Sequence, residues 1–141
     1  MDNELKRKTI LDNYMNPSNK EIPSDSNYIK ANTNNVSCID NLDIYVLIED
    51  NIIKDIKFDG EACAIATSAA SIMTKLLQNK TISEVKELYN NYKEMLESGN
   101  LNNILGEAQA FSDIYKQPNR KTCAILPWEG IIKAINEYEK S

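Results

Sequence analysis

Residues 42–58 constrain the fold more than any other part of the chain. Leu42, Ile44, Val46 and Ile48 alternate with Asp43, Tyr45, Leu47 and Glu49. After Asp50-Asn51, Ile52, Ile56 and Phe58 alternate with Ile53, Asp55 and Lys57. A period of two sends successive side chains to opposite faces, so each run reads as a half-buried strand. Asp50-Asn51 reads as the turn of a hairpin. The sheet is therefore antiparallel, and one of its faces needs cover.

Helices supply that cover. Residues 3–15 read as a helix with Leu5, Ile10, Leu11 and Tyr14 mostly on one side. Asn16-Pro17 ends it, because the residue before proline avoids helical geometry. Residues 16–26 read as a loop, 28–33 as a first strand and 34–41 as a turn-rich segment. Residues 64–77 carry no charge before Lys75 and predict a closely packed helix. Val85, Leu88, Tyr89, Tyr92, Met95 and Leu96 follow helical spacing up to a stop at Gly99. Residues 103–115 read as another helix. Trp128, Ile131, Ile132, Ile135 and Tyr138 give a last helix its apolar stripe, with Pro127 expected near its start. Strands followed by a run of helices predict an α+β fold, a three-stranded antiparallel sheet packed against several helices. The 141 residues suit one domain, 1–141.

A net charge of −5 argues against broad nucleic-acid binding. No run reaches the roughly 18 apolar residues of a membrane span. Met1 to Lys8 lacks an apolar signal core, so a cytoplasmic location with reduced thiols is expected.

The chemistry rests on three cysteines in a chain with no histidine. Without histidine there is no Ser/His or Cys/His catalytic pair. Cys38 lies two residues before Asp40, Cys63 just past the third strand, and Cys123 at or near the start of the last helix, three residues after Arg120. An odd number of widely spaced cysteines is not a disulfide framework. Three thiolates and a carboxylate can complete a four-coordinate zinc site. Helix N-termini near Cys63 and Cys123, with Arg120, would offset its negative charge. The plainer reading takes each cysteine as a small buried hydrophobe. In that reading Asp40 is a turn residue, Arg120 and Glu61 are solvated charges, and Trp128 with the 85–96 stripe is core.

Four segments in order resemble one family along almost the whole chain. Tyr14-Met15-Asn16-Pro17-Ser18-Asn19 is similar to a Y-x-N-P-x-N signature. Asn35-Val36-Ser37-Cys38-Ile39-Asp40 is similar to N-P-x-C-G-D, and Phe58-Asp59-Gly60-Glu61-Ala62-Cys63 to F-x-G-x-G-C. Arg120-Lys121-Thr122-Cys123 with Trp128 is similar to R-x-x-C-A-x-x-x-W. These segments resemble the iron–sulfur cluster assembly proteins of the NifU/IscU type. Two features point to the SufU-like branch. Thr122 stands where IscU-type scaffolds carry histidine, and 59 residues separate Cys63 from Cys123, with the 83–97 helix resembling that branch's insertion.

The resemblance implies a SufE/NifU-like fold and a zinc-dependent sulfur acceptor working with a PLP-containing, SufS-like cysteine desulfurase. A histidine of that partner would take over a zinc position and free a thiolate. Cys38 would accept the persulfide sulfur, Asp40, Cys63 and Cys123 would be the remaining zinc ligands, and Arg120 would orient or neutralise the site. Sulfur would pass to downstream iron–sulfur assembly proteins. The alternatives are a scaffold building a [2Fe–2S] cluster on the same ligands and a non-catalytic domain with structural zinc. Val36, Ile39 and Ala62 stand where the family has proline, glycine and glycine, and a β-branched Ile39 resists positive φ.

Overall fold

Three strands, β1 (Ile29–Asn34), β2 (Asn41–Glu49) and β3 (Ile52–Glu61), form an antiparallel sheet in the order β1-β2-β3. The structure is a computed structural model that describes residues 1–36 and 39–141. Glu49 pairs with Ile52 across a two-residue turn, with Asp50 at φ 53° and Asn51 at φ 62°. Two consecutive left-handed residues match the right-handed twist of the strands, and Asp and Asn tolerate that conformation. Leu42, Ile44, Val46 and Ile48 are buried, as their alternation predicts.

The third strand departs from strict alternation. Leu47 pairs with Asp55 but Ile48 pairs with Ile53, which leaves Lys54 as an extra residue in a bulge. The bulge reverses the parity, so Ile53 rather than Ile52 joins Ile56 and Phe58 in the core.

The helices are α1 (Asn3–Met15), α2 (Ala64–Leu77), α3 (Ile82–Ser98) and α4 (Pro118–Lys140). α2 is buried from Ile65 to Thr74 and packs against α1, α4 and β3. Its Ala and Ser side chains let these neighbours approach. α3 has a capping box between Thr81 and Glu84 and ends on Gly99, whose φ is 79°. No helix among the described residues is long and apolar enough to cross a membrane.

α1 turns a polar face inward. Thr9 and Asn13 are buried, while Leu5, Leu11 and Tyr14 are exposed. Asn13 donates through Nδ2 to the Thr9 carbonyl at 2.9 Å and accepts from Ser71 Oγ at 2.7 Å. Ser71 Oγ accepts the Ser18 N–H at 2.8 Å. Asn19, at φ 62°, donates to Thr74 Oγ1 at 3.0 Å, and its carbonyl accepts the Phe58 N–H at 3.0 Å. The Asn-Pro-x-Asn segment thus ties α1 to α2 and β3. Ser71→Ala leaves Asn13 Oδ1 and the Ser18 N–H without this partner. It is expected to cost about 1–3 kcal/mol, read as a lower urea midpoint at unchanged slope.

Two helix readings are corrected. Residues 103–115 are not one α-helix but two 3₁₀ segments, Asn103–Phe111 and Ile114–Lys116. Gly106, at φ 52° and ψ −128°, breaks the first of them. The last helix begins at Pro118, where a missing N–H is harmless, and Pro127 lies in its interior. Pro127 has no N–H to give the Cys123 carbonyl one turn back. Burial of the proline holds the helix through this point. The next carbonyl, Ala124, accepts the Tyr92 hydroxyl at 2.8 Å, and Tyr92 stacks on Trp128 with centroids 4.3 Å apart.

Candidate metal centre

The open end of the β2–β3 hairpin brings the first two candidate ligands together. Asn41 pairs with Glu61, so Asp40 and Cys63 leave adjacent strand ends side by side. Asp40 is only 1% exposed. Its Oδ1 accepts the Cys63 N–H at 2.7 Å, and Oδ2 lies 3.7 Å from Cys63 Sγ. Its carbonyl accepts the Asn35 N–H at 3.0 Å. Cys63 is the N-cap of α2, with Sγ accepting the Ala66 N–H at 3.4 Å.

Cys123 comes from the second turn of α4 and is 7% exposed. Its thiol lies 3.8 Å from the Asn119 carbonyl. A carboxylate oxygen of Asp40 and the sulfurs of Cys63 and Cys123 all lie within 4.8 Å of one another. Both cysteines are free of disulfides. α3 buttresses this corner, because Tyr92 engages the residue that follows Cys123.

Burial raises the pKa of Cys63, against the lowering effect of the Ala66 N–H and the Cys123 thiol. Burial pushes Cys123 much further up, with Asp40 and Cys63 adding to it. Two thiols raised in this way stay protonated unless a cation shares the space. The donor set fits a divalent, thiophilic ion. A tetrahedral zinc with bonds of about 2.0–2.3 Å places neighbouring ligand atoms about 3.3–3.8 Å apart. The 3.7 Å between Asp40 Oδ2 and Cys63 Sγ falls in that range.

A cleft of about 390 Å³ opens onto the sulfurs, lined by Asn35, Cys63, Ala64, Ile65, Asn119, Arg120 and Cys123. Arg120 is exposed at its rim, and among the described residues it forms no ion pair. Asn119 and the buttress from Tyr92 escaped the sequence reading. Tyr92 carries a signal only as part of the apolar stripe of α3. Thr122 is exposed and lines a separate cavity between α3 and α4 with Tyr89, Lys93 and Ile125.

Cys38 lies outside the described residues. Ala62 keeps ordinary backbone, since the non-glycine residues at positive φ among the described residues are Asn19, Asp50, Asn51 and Asn79. The replaced glycine before Cys63 therefore adds no positive-φ strain there.

Residues 5–141 match the NifU-like N terminal domain. The chain belongs to the NifU-like family. It is 31% identical over 137 residues to the zinc-dependent sulfurtransferase SufU of Bacillus subtilis (strain 168), covering 96% of this chain and 92% of that one. It is 30% identical over 111 residues to the iron–sulfur cluster assembly scaffold protein IscU of Thermotoga maritima, covering 75% of each. Among solved structures, the protein of Fervidobacterium islandicum AW-1 put forward as an iron–sulfur cluster assembly scaffold for the SUF system superposes with a TM-score of 0.82. That match has 26% identity and covers 95% of this chain and 98% of that one. These relatives bear out the α+β fold and the SufU-like affiliation of this NifU-like chain.

Proposed function

We propose that this chain is a zinc-binding sulfur acceptor in iron–sulfur cluster assembly, acting as one domain with Cys38 as acceptor. The observation that carries the reading is the convergence of Asp40, Cys63 and Cys123 within 4.8 Å, beside an open cleft that the two cysteines line. Cys38 is the proposed fourth ligand. It lies two residues from Asp40 in the chain. Similarity to a SufU named as a zinc-dependent sulfurtransferase supports zinc over iron. A bound zinc would hold the thiolates deprotonated at neutral pH and supply no redox chemistry of its own.

The residues divide the work. Cys123 is buried and Cys63 half-buried and committed to capping α2, so both suit retention. Cys38 lies between Val36, 98% exposed, and Ile39, 70% exposed. In the transfer, the Cys38 thiolate attacks the outer sulfur of a persulfide on a cysteine desulfurase. A new S–S bond forms on Cys38, the S–S bond of the donor breaks, and the donor cysteine leaves as thiolate. No electrons are gained or lost overall. Arg120, at the cleft rim, faces the charge that develops there.

The test uses a PLP-dependent cysteine desulfurase with cysteine as substrate and mass spectrometry of this chain. Wild type is expected to gain one sulfur on Cys38. Cys38→Ser is expected to gain none while keeping its circular dichroism spectrum. Sulfur appearing instead on Cys63 or Cys123, or nowhere in wild type, contradicts the reading. The second reading, a scaffold for a [2Fe–2S] cluster, is favoured by the similarity to the Thermotoga maritima scaffold. Thiolate ligands serve both.

A further inference from the structure

The two oxygens of Asp40 face different groups. We infer that they do separable jobs: Oδ1 latches the hairpin end to the start of α2 whether or not metal is bound, and Oδ2 is the ligand. The second half rests on the proposed metal site; the first does not.

The latch is built from two contacts on a residue that is 1% exposed. Oδ1 accepts the Cys63 N–H at 2.7 Å, a charge-assisted bond of the short, strong kind. The Asp40 carbonyl accepts the Asn35 N–H at 3.0 Å. The Cys63 N–H precedes the first turn of α2, so no carbonyl of that helix takes it. With that N–H fixed, Cys63 presents Sγ both to the Ala66 N–H at 3.4 Å and to Asp40 Oδ2 at 3.7 Å. One carboxylate therefore fixes the Cys63 N–H through Oδ1 and turns Oδ2 toward the sulfur of the same residue.

A carboxylate is the hard, less matched partner of zinc beside thiolates and would be the first ligand expected to leave. The latch opposes that. Asp40 stays in place through a change of ligands, and the exchangeable position falls to a cysteine. The metal-free chain keeps Asp40, Cys63 and Cys123 together as a preformed site.

The test begins on metal-free protein and needs no sulfur donor. Asp40→Asn keeps an oxygen for the Cys63 N–H but replaces the ligand oxygen with an amide nitrogen; Asp40→Ala removes both. The readouts are hydrogen exchange at the Cys63 amide and a cobalt(II) titration followed by thiolate charge-transfer absorption. Asp40→Asn is expected to protect the Cys63 amide within a few-fold of wild type, and Asp40→Ala to speed its exchange about tenfold or more. Both variants are expected to bind cobalt more weakly than wild type. Equal exchange in Asp40→Asn and Asp40→Ala, or an unprotected Cys63 amide in wild type, overturns the latch. Undiminished cobalt affinity in Asp40→Asn overturns the division of labour. If Asp40→Ala does not fold, wild type against Asp40→Asn decides: retained protection supports the latch and its loss overturns it. Loss of sulfur transfer with these results intact would count against the proposed function alone.

Discussion

Cys63→Ser is expected to lower metal affinity by at least about 100-fold while leaving the metal-free fold as stable as wild type. The two effects separate because Cys63 has two roles. Its sulfur is one of three candidate ligand atoms within 4.8 Å of one another. Even partners that only support a metal ligand are worth about 10–100-fold in affinity, so losing a thiolate costs no less. The same sulfur caps α2 by accepting the Ala66 N–H at 3.4 Å. Serine is among the preferred N-cap residues, so helix stability is kept within about 0.5 kcal/mol or improved. Competition with a chromophoric chelator gives the affinity, and urea unfolding of metal-free protein gives the stability. Undiminished affinity would remove Cys63 from the site. A large loss of metal-free stability would show that its sulfur does more for the fold than cap a helix.

Gly60→Ala is expected to be the most damaging single change near the site, at about 3 kcal/mol or more. Gly60 lies in β3 opposite Leu42 with φ at 130°, a conformation open to glycine alone. A Cβ there would overlap the Asn41 carbonyl oxygen and crowd the Leu42 Cα, both backbone atoms with nowhere to move. Backbone strain and overpacking each cost about 1–3 kcal/mol. The displaced residues flank Asp40 on one strand and lead to Cys63 on the other. Metal affinity is therefore expected to fall along with the thermal midpoint. An unchanged midpoint would mean that the two strands do not meet this closely at their open end.

The hairpin was legible in the sequence because its signals are local. Alternation over 42–49 and an Asp-Asn turn need no distant partner. The bulge at Lys54 is a property of two strands together, and one extra residue on one of them leaves no mark in composition. The inward face of α1 was hidden for the same reason. Thr9 and Asn13 look like surface residues until Ser71, 58 positions after Asn13, arrives to accept and donate. The interior place of Pro127 was not legible, because its burial within α4 depends on the packed fold.

The site divides along the same line. Separate cysteines and an aspartate said only that zinc was chemically possible, and the ordered motifs said which residues belonged together. The strand register and the α4 packing then brought Asp40, Cys63 and Cys123 to one corner. The Asp40 latch could not be read ahead, since its donor is a backbone N–H whose direction only the fold sets.

The central claim is tested most directly by elemental analysis of anaerobically purified wild-type protein, with a visible absorption spectrum on the same sample. About one zinc per chain with no visible band is the predicted result. Iron with acid-labile sulfide and a brown chromophore would contradict zinc and assign the same ligands to a cluster scaffold. Metal-free protein with freely titrating thiols would contradict both.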